Sequence, residues 1–79
     1  KLKESGTMQI KNALGQVGNV YLIIPGKRKG TGKIHIRVQG SLRELDAITD
    51  DAADITTGSI IKVTGIIDDE MLLVTASFT

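Results

Sequence analysis

The sequence predicts an all-β fold, a small closed barrel of five strands, and three observations carry that reading. Apolar and polar residues alternate with period two through most of the chain, most clearly where Ile34, Ile36 and Val38 are interleaved with Lys33, His35, Arg37 and Gln39. Pro-Gly, Gly-Ser and acidic clusters cut the alternation into short segments. The chain has 79 residues, enough for one small domain, and a narrow sheet of that size gains by closing on itself and removing its edges.

The elements follow in order. Residues 1–5, Lys1-Leu2-Lys3-Glu4-Ser5, are polar and read as a frayed tail, with the barrel domain spanning residues 6–79. Met8 and Ile10 either begin the first strand or lie against the barrel's rim. The first strand runs from Gly15 to Ile24, carrying Val17, Val20, Leu22 and Ile24, and Gly18-Asn19 interrupts it as a bulge or tight bend. Pro25-Gly26 stops it, and Lys27-Arg28-Lys29-Gly30-Thr31-Gly32 reads as a turn. The second strand is the alternating segment from Lys33, ended by a tight turn at Gly40-Ser41. Leu42 to Thr49 forms the third, with Leu45 and Ala47 on one face and Glu44 and Asp46 on the other. Asp50 to Ile55 breaks the pattern and holds at most one short helical turn, with Thr49 or Asp50 as its cap. Ser59 to Ile67 is β-branched and apolar, with Gly65 as a bend, and Met71 to Ala76 returns as the fifth strand after Asp68-Asp69-Glu70.

Two architectures fit five such strands, an OB-fold-like Greek-key barrel and an SH3-like barrel. The long, glycine-interrupted first strand favours the OB type, because it must bend to serve both sides of the barrel. The expected core is Val17, Val20, Leu22, Ile24, Ile34, Ile36, Val38, Leu45, Ala47, Ile61, Val63, Leu72 and Val74.

Composition excludes several classes of function. With no cysteine there is no disulfide, thiolate zinc site or cysteine nucleophile, and His35 alone cannot build a histidine-rich metal centre. No apolar run approaches the roughly 18 residues of a membrane span. The start at Lys1 reads as a piece of something longer. Asp50, Asp51 and Asp54 lack the spacing of a calcium loop and read as a solvated turn. None of Ser5, Ser41, Ser59 and Ser77 sits in a nucleophile elbow. The glycine-rich stretch from Pro25 to Gly32 lacks the Gly-Lys-Ser/Thr ending of a phosphate loop. No catalytic, cofactor or metal residue is assigned, and no small-molecule substrate.

The formal net charge of +1 hides a division. Nine of the ten Lys and Arg lie at or before Arg43 against one acid, Glu4, whereas eight of the nine acids lie from Glu44 onward against Lys62 alone. Such halves either mark a binding surface or attract each other across a sheet, and the second reading is preferred. Within the basic half, Lys27, Arg28, Lys29, Lys33 and Arg37 form a candidate strip for a protein partner, for anionic headgroups or for nucleic acid. Nucleic acid is disfavoured, since single-strand binding by such barrels draws on stacked aromatic rings and only Tyr21 and Phe78 exist.

The order of short pieces along the chain carries a resemblance. Gly6-Thr7, Ala13-Leu14, Gly15-Gln16-Val17-Gly18 and Val20-Tyr21-Leu22-Ile23-Ile24-Pro25 are followed by Gly30-Thr31-Gly32-Lys33-Ile34 and Val38-Gln39-Gly40. Glu44-Leu45-Asp46-Ala47-Ile48-Thr49, Ile55-Thr56-Thr57-Gly58 and Leu72-Leu73-Val74 complete the series. Over residues 6 to 76 this resembles the C-terminal soluble domain of NfeD-family membrane proteins. The resemblance implies a five-stranded OB barrel attached to transmembrane helices outside this chain, on the cytoplasmic face of a bacterial cell membrane. It also implies a non-enzymatic interaction module whose partner is a stomatin-, prohibitin- or flotillin-type scaffold protein, or a second copy.

Overall fold

The computed structural model describes residues 10–38, 40–68 and 70–76. Residues 1–5 of the expected tail, Met8 and Phe78 lie outside them. The five strands are β1 (Val17–Leu22), β2 (Gly32–Val38), β3 (Ser41–Thr49), β4 (Ile60–Asp68) and β5 (Met71–Thr75). They close a barrel in the order β1-β2-β3-β5-β4, with β4 returning to β1. All neighbours are antiparallel except β3 and β5, which run parallel from Asp46↔Met71 to Thr49↔Val74. A meander of three strands closed by a parallel β3–β5 joint is the OB arrangement. The first strand does serve both sides: Gly18 and Asn19 pair with Ile36 and His35 on β2 and with Ile61 and Ile60 on β4.

The core is aliphatic. Val20, Ile24, Ile34, Ile36, Val38, Ala47, Ile61, Val63, Leu72 and Val74 are buried as expected, and Leu45 packs against them half-buried. Two expected core residues are not there: Val17 is 52% and Leu22 46% exposed. The cause is the phase of β1. No register break occurs at Gly18-Asn19; Gly18 is itself the inward residue, so Val17 turns out. The break falls between Val20 and Leu22, and the extra residue, Tyr21, leaves Leu22 opposite the outward Lys33. Near Gly65 the β4–β5 register does shift, between Val63 and Gly65.

Ala13 and Ile55, not among the expected core residues, also belong to the core. Ala13 ends a 3₁₀ turn, Ile10–Ala13, that packs on β2 and β4. Ile55 is buried by a lone antiparallel bridge to Ile24, with hydrogen bonds in both directions at 2.9 and 2.8 Å. The segment from Asp50 to Ile55 carries no helical turn. Instead Thr49 Oγ1 accepts the Asp51 N–H at 3.1 Å, and the chain bends through Ala52-Ala53.

Candidate interaction surface

The basic loop after β1 is docked, not free. Gly26 begins a 3₁₀ turn, Gly26–Arg28, and lies so close to the β3–β4 connection that a Cβ on it would stand 2.7 Å from the Ala52 carbonyl oxygen. Its N–H donates to Asp54 Oδ1 at 2.8 Å, and the Lys27 N–H donates to the Asp51 carbonyl at 2.8 Å. Lys27 and Arg28 both hold left-handed backbone, at φ 56° and 55°, which costs each about 1–2 kcal/mol. The tertiary bonds hold them there. The Arg28 guanidinium then reaches Asp50 through Nε at 2.5 Å and Nη2 at 3.2 Å. This hydrogen bond raises Arg28 further above the ordinary arginine value and holds the Asp50 carboxyl below the usual range. Arg28, a member of the candidate basic strip, is therefore not a free cation but a strut between two loops.

Along β2 the strip is divided again. Lys33 lies directly opposite Asp46 and donates to its Oδ1 at 2.6 Å, which raises the lysine above its ordinary value. His35 lies opposite Glu44, with Nε2 3.4 Å from Oε1, and stacks its ring on Tyr21 at 4.7 Å between centroids. Thus the two oppositely charged halves meet as cross-strand pairs on the outer face of β2 and β3, the preferred of the two readings. Of the five strip residues, Arg28 and Lys33 are paired. Lys27, Lys29 and Arg37 have no ion-pair partner among the described residues.

The three aspartates of the β3–β4 connection each hold a different part of the chain. Asp50 takes Arg28, Asp54 takes the Gly26 N–H, and Asp51 accepts from Thr75 Oγ1 at 2.7 Å and from the Ala76 N–H at 2.9 Å. Beside them is an open hollow of about 330 Å³ lined by Asp51, Ala52, Ala53, Asp54, Ile55 and Ala76. Its walls are largely methyl groups. Among the described residues no three His, Cys, Asp or Glu are grouped to hold a metal ion.

Sequence reasoning missed one surface. Val17, Tyr21 and Leu22 on β1 and Ile60 on β4 are each about half exposed. Ile60 and Val17 are diagonal neighbours on the outer face, because Asn19 pairs with Ile60 and Val17 with Lys62. The signal lay in Gly18. Read as the inward residue of an unbroken strand, it would have turned Val17 outward.

No family model matches the chain, and no curated protein does. Solved structures do. The soluble domain of the NfeD protein YuaF from Bacillus subtilis is 25% identical, with a TM-score of 0.68 over 84% of this chain and 76% of that one. The soluble domain of a membrane protein implicated in regulation of membrane protease activity, from Corynebacterium glutamicum, is 18% identical, with a TM-score of 0.59 over 85% and 95%. The C-terminal domain of stomatin operon partner protein 1510-C from Pyrococcus horikoshii is 20% identical, with a TM-score of 0.56 over 90% and 94%. The last two share the fold. Taken with the closed barrel and the ordered motifs from Gly6 to Val74, the match to the Bacillus domain supports an NfeD-like C-terminal domain.

Proposed function

We propose that residues 6–79 form a non-enzymatic protein-interaction module of a membrane-anchored protein. It works on the cytoplasmic face with a stomatin-, prohibitin- or flotillin-type scaffold. The observation that carries this reading is the likeness to soluble domains of membrane proteins, one of them named a stomatin operon partner. The barrel supports it as well, since a cylinder this narrow is filled by its own side chains and offers faces and loops for contact. The contact residues proposed are Lys27, Lys29 and Arg37, with Arg28 and Lys33 beside them already neutralised by Asp50 and Asp46.

Co-purification with the full-length membrane protein tests the proposal. Capture of a scaffold protein, weakened by Lys27→Ser with Lys29→Ser in a salt-sensitive way, is the expected result. Capture of nucleic acid instead would favour the second reading, an OB-type nucleic-acid binder. Against that reading, one face of Tyr21 is occupied by His35 and is not free to stack on a base.

A further inference from the structure

We infer that the outer face of β1 is an apolar docking surface of this module, additional to the basic loop at Lys27 and Lys29, and that its occupant is an acidic amphipathic segment of a partner protein. The inference rests on the interaction-module reading and gives it a place. Val17, Tyr21, Leu22 and Ile60, each 46–54% exposed, lie in a stripe along the outer side of β1 and its neighbour around Asn19, which stands opposite Ile60. Single exposed apolar residues are ordinary; a row of them bounded by charge is the pattern of a recognition surface.

The charges on the boundary choose the occupant. Lys62 lies directly opposite Val17 on β4, and Arg37 follows Ile36, the partner of Gly18, on β2. Neither has an ion-pair partner among the described residues, and Glu44 and Asp46 on the outer face of β3 lie against His35 and Lys33. Val17, at one end of the stripe, thus stands between two cations, Lys62 on β4 and Arg37 on β2, without ion-pair partners among the described residues. A second copy laid face to face would set cation against cation, which disfavours self-association. An anionic bilayer would also attract the flanking cations, and the vesicle arm of the test below separates it from a peptide. A segment with apolar residues on one face and Asp or Glu at its margins satisfies both features together.

The test titrates the isotope-labelled chain with a short amphipathic peptide bearing Leu on one face and Glu on the other, and with its Lys-for-Glu counterpart. Amide shifts are expected at Val17 to Leu22 and at Ile60 to Lys62 with the Glu peptide only. Val17→Thr with Ile60→Thr, which keeps β-branched residues in both strands, should weaken binding at least about tenfold with the remaining amide spectrum intact. Ile67→Thr, on an exposed apolar residue near the far end of β4, should not. Equal binding of the Lys peptide, shifts centred on Lys27 to Lys29, binding to anionic phosphatidylglycerol vesicles in place of the peptide, or no shift at all would each overturn the inference. Co-purification separates its failure from that of the module: a scaffold captured equally by the Val17/Ile60 variant leaves the module standing and removes the stripe. Peptide binding at the stripe with no scaffold captured does the reverse.

Discussion

The carbonyl oxygen of His35 lies where a side chain on Gly18 would begin: a Cβ there would stand 2.6 Å from it and 3.2 Å from the Ile36 Cβ. β1 and β2 can approach at Gly18↔Ile36 only because that inward position is empty. Gly18→Ala forces backbone apart, since the obstructing atom belongs to a main chain fixed by its own strand. A loss of about 1–3 kcal/mol is expected from overpacking, measured as a lower urea midpoint. An unchanged midpoint would mean that β1 shifts freely past β2.

Ile36 and His35 are neighbours on opposite faces, with Ile36 1% exposed. Ile36→Asp buries a carboxylate with no partner and is expected to abolish folding. His35→Ala loses a ring stack and a weak pair and should cost less than about 1 kcal/mol. Circular dichroism of the two variants makes the comparison, and equal damage would contradict the face assignment.

How far these faces were legible depends on the strand. On β2 every inward position after Gly32 is an aliphatic residue and every outward one is polar, so the sequence alone placed Ile34, Ile36 and Val38 correctly. On β1 the phase rests on a glycine, which has no side chain to declare a face, and then changes at a bulge that Tyr21 does not advertise. The basic strip was legible as a run of charge but not as a set of contacts. Which of its members are free depends on the β2–β3 register and on left-handed backbone at Lys27 and Arg28. Local propensity argues against such backbone, and only the bonds to Asp50, Asp51 and Asp54 sustain it.

Asp51 fastens the end of β5 to the β3–β4 connection through Thr75 and Ala76. Asp51→Ala is expected to cost about 1–3 kcal/mol, the value of hydrogen bonds to a charged acceptor. Amide exchange should rise first at Ala76 and along β5. Exchange that rises uniformly would assign Asp51 a general electrostatic role.

Acid should loosen the Arg28–Asp50 strut. A carboxyl held below its unfolded value contributes stability at neutral pH, and that contribution is lost as pH falls through roughly 4 and below. The raised Arg28 and Lys33 act in the other direction. Their contributions persist through neutral pH and are lost only in alkali, above about 10 for the lysine. Asp50→Asn should therefore flatten the acid limb of the thermal midpoint, more visibly at low salt because the pair is half exposed. A limb of unchanged slope would place the acid sensitivity in other carboxylates.

Lys27 pays for its left-handed backbone without a side-chain partner among the described residues. Lys27→Gly is expected to raise the thermal midpoint or leave it unchanged, while Lys27→Val, which adds a branch at Cβ, should lower it. A fall with Gly would mean that the lysine stem itself packs on the barrel.

The ring is closed by the strands that follow the meander. β4 joins Val17 to Lys62, and β5 joins Thr49 to Val74, so both closing seams require strands made after β1, β2 and β3. Until then the β1–β2–β3 meander has two bare rims, and contacts this distant in sequence form slowly. A chain halted before Met71 would keep the β3 rim open permanently, offering it to strands of other molecules.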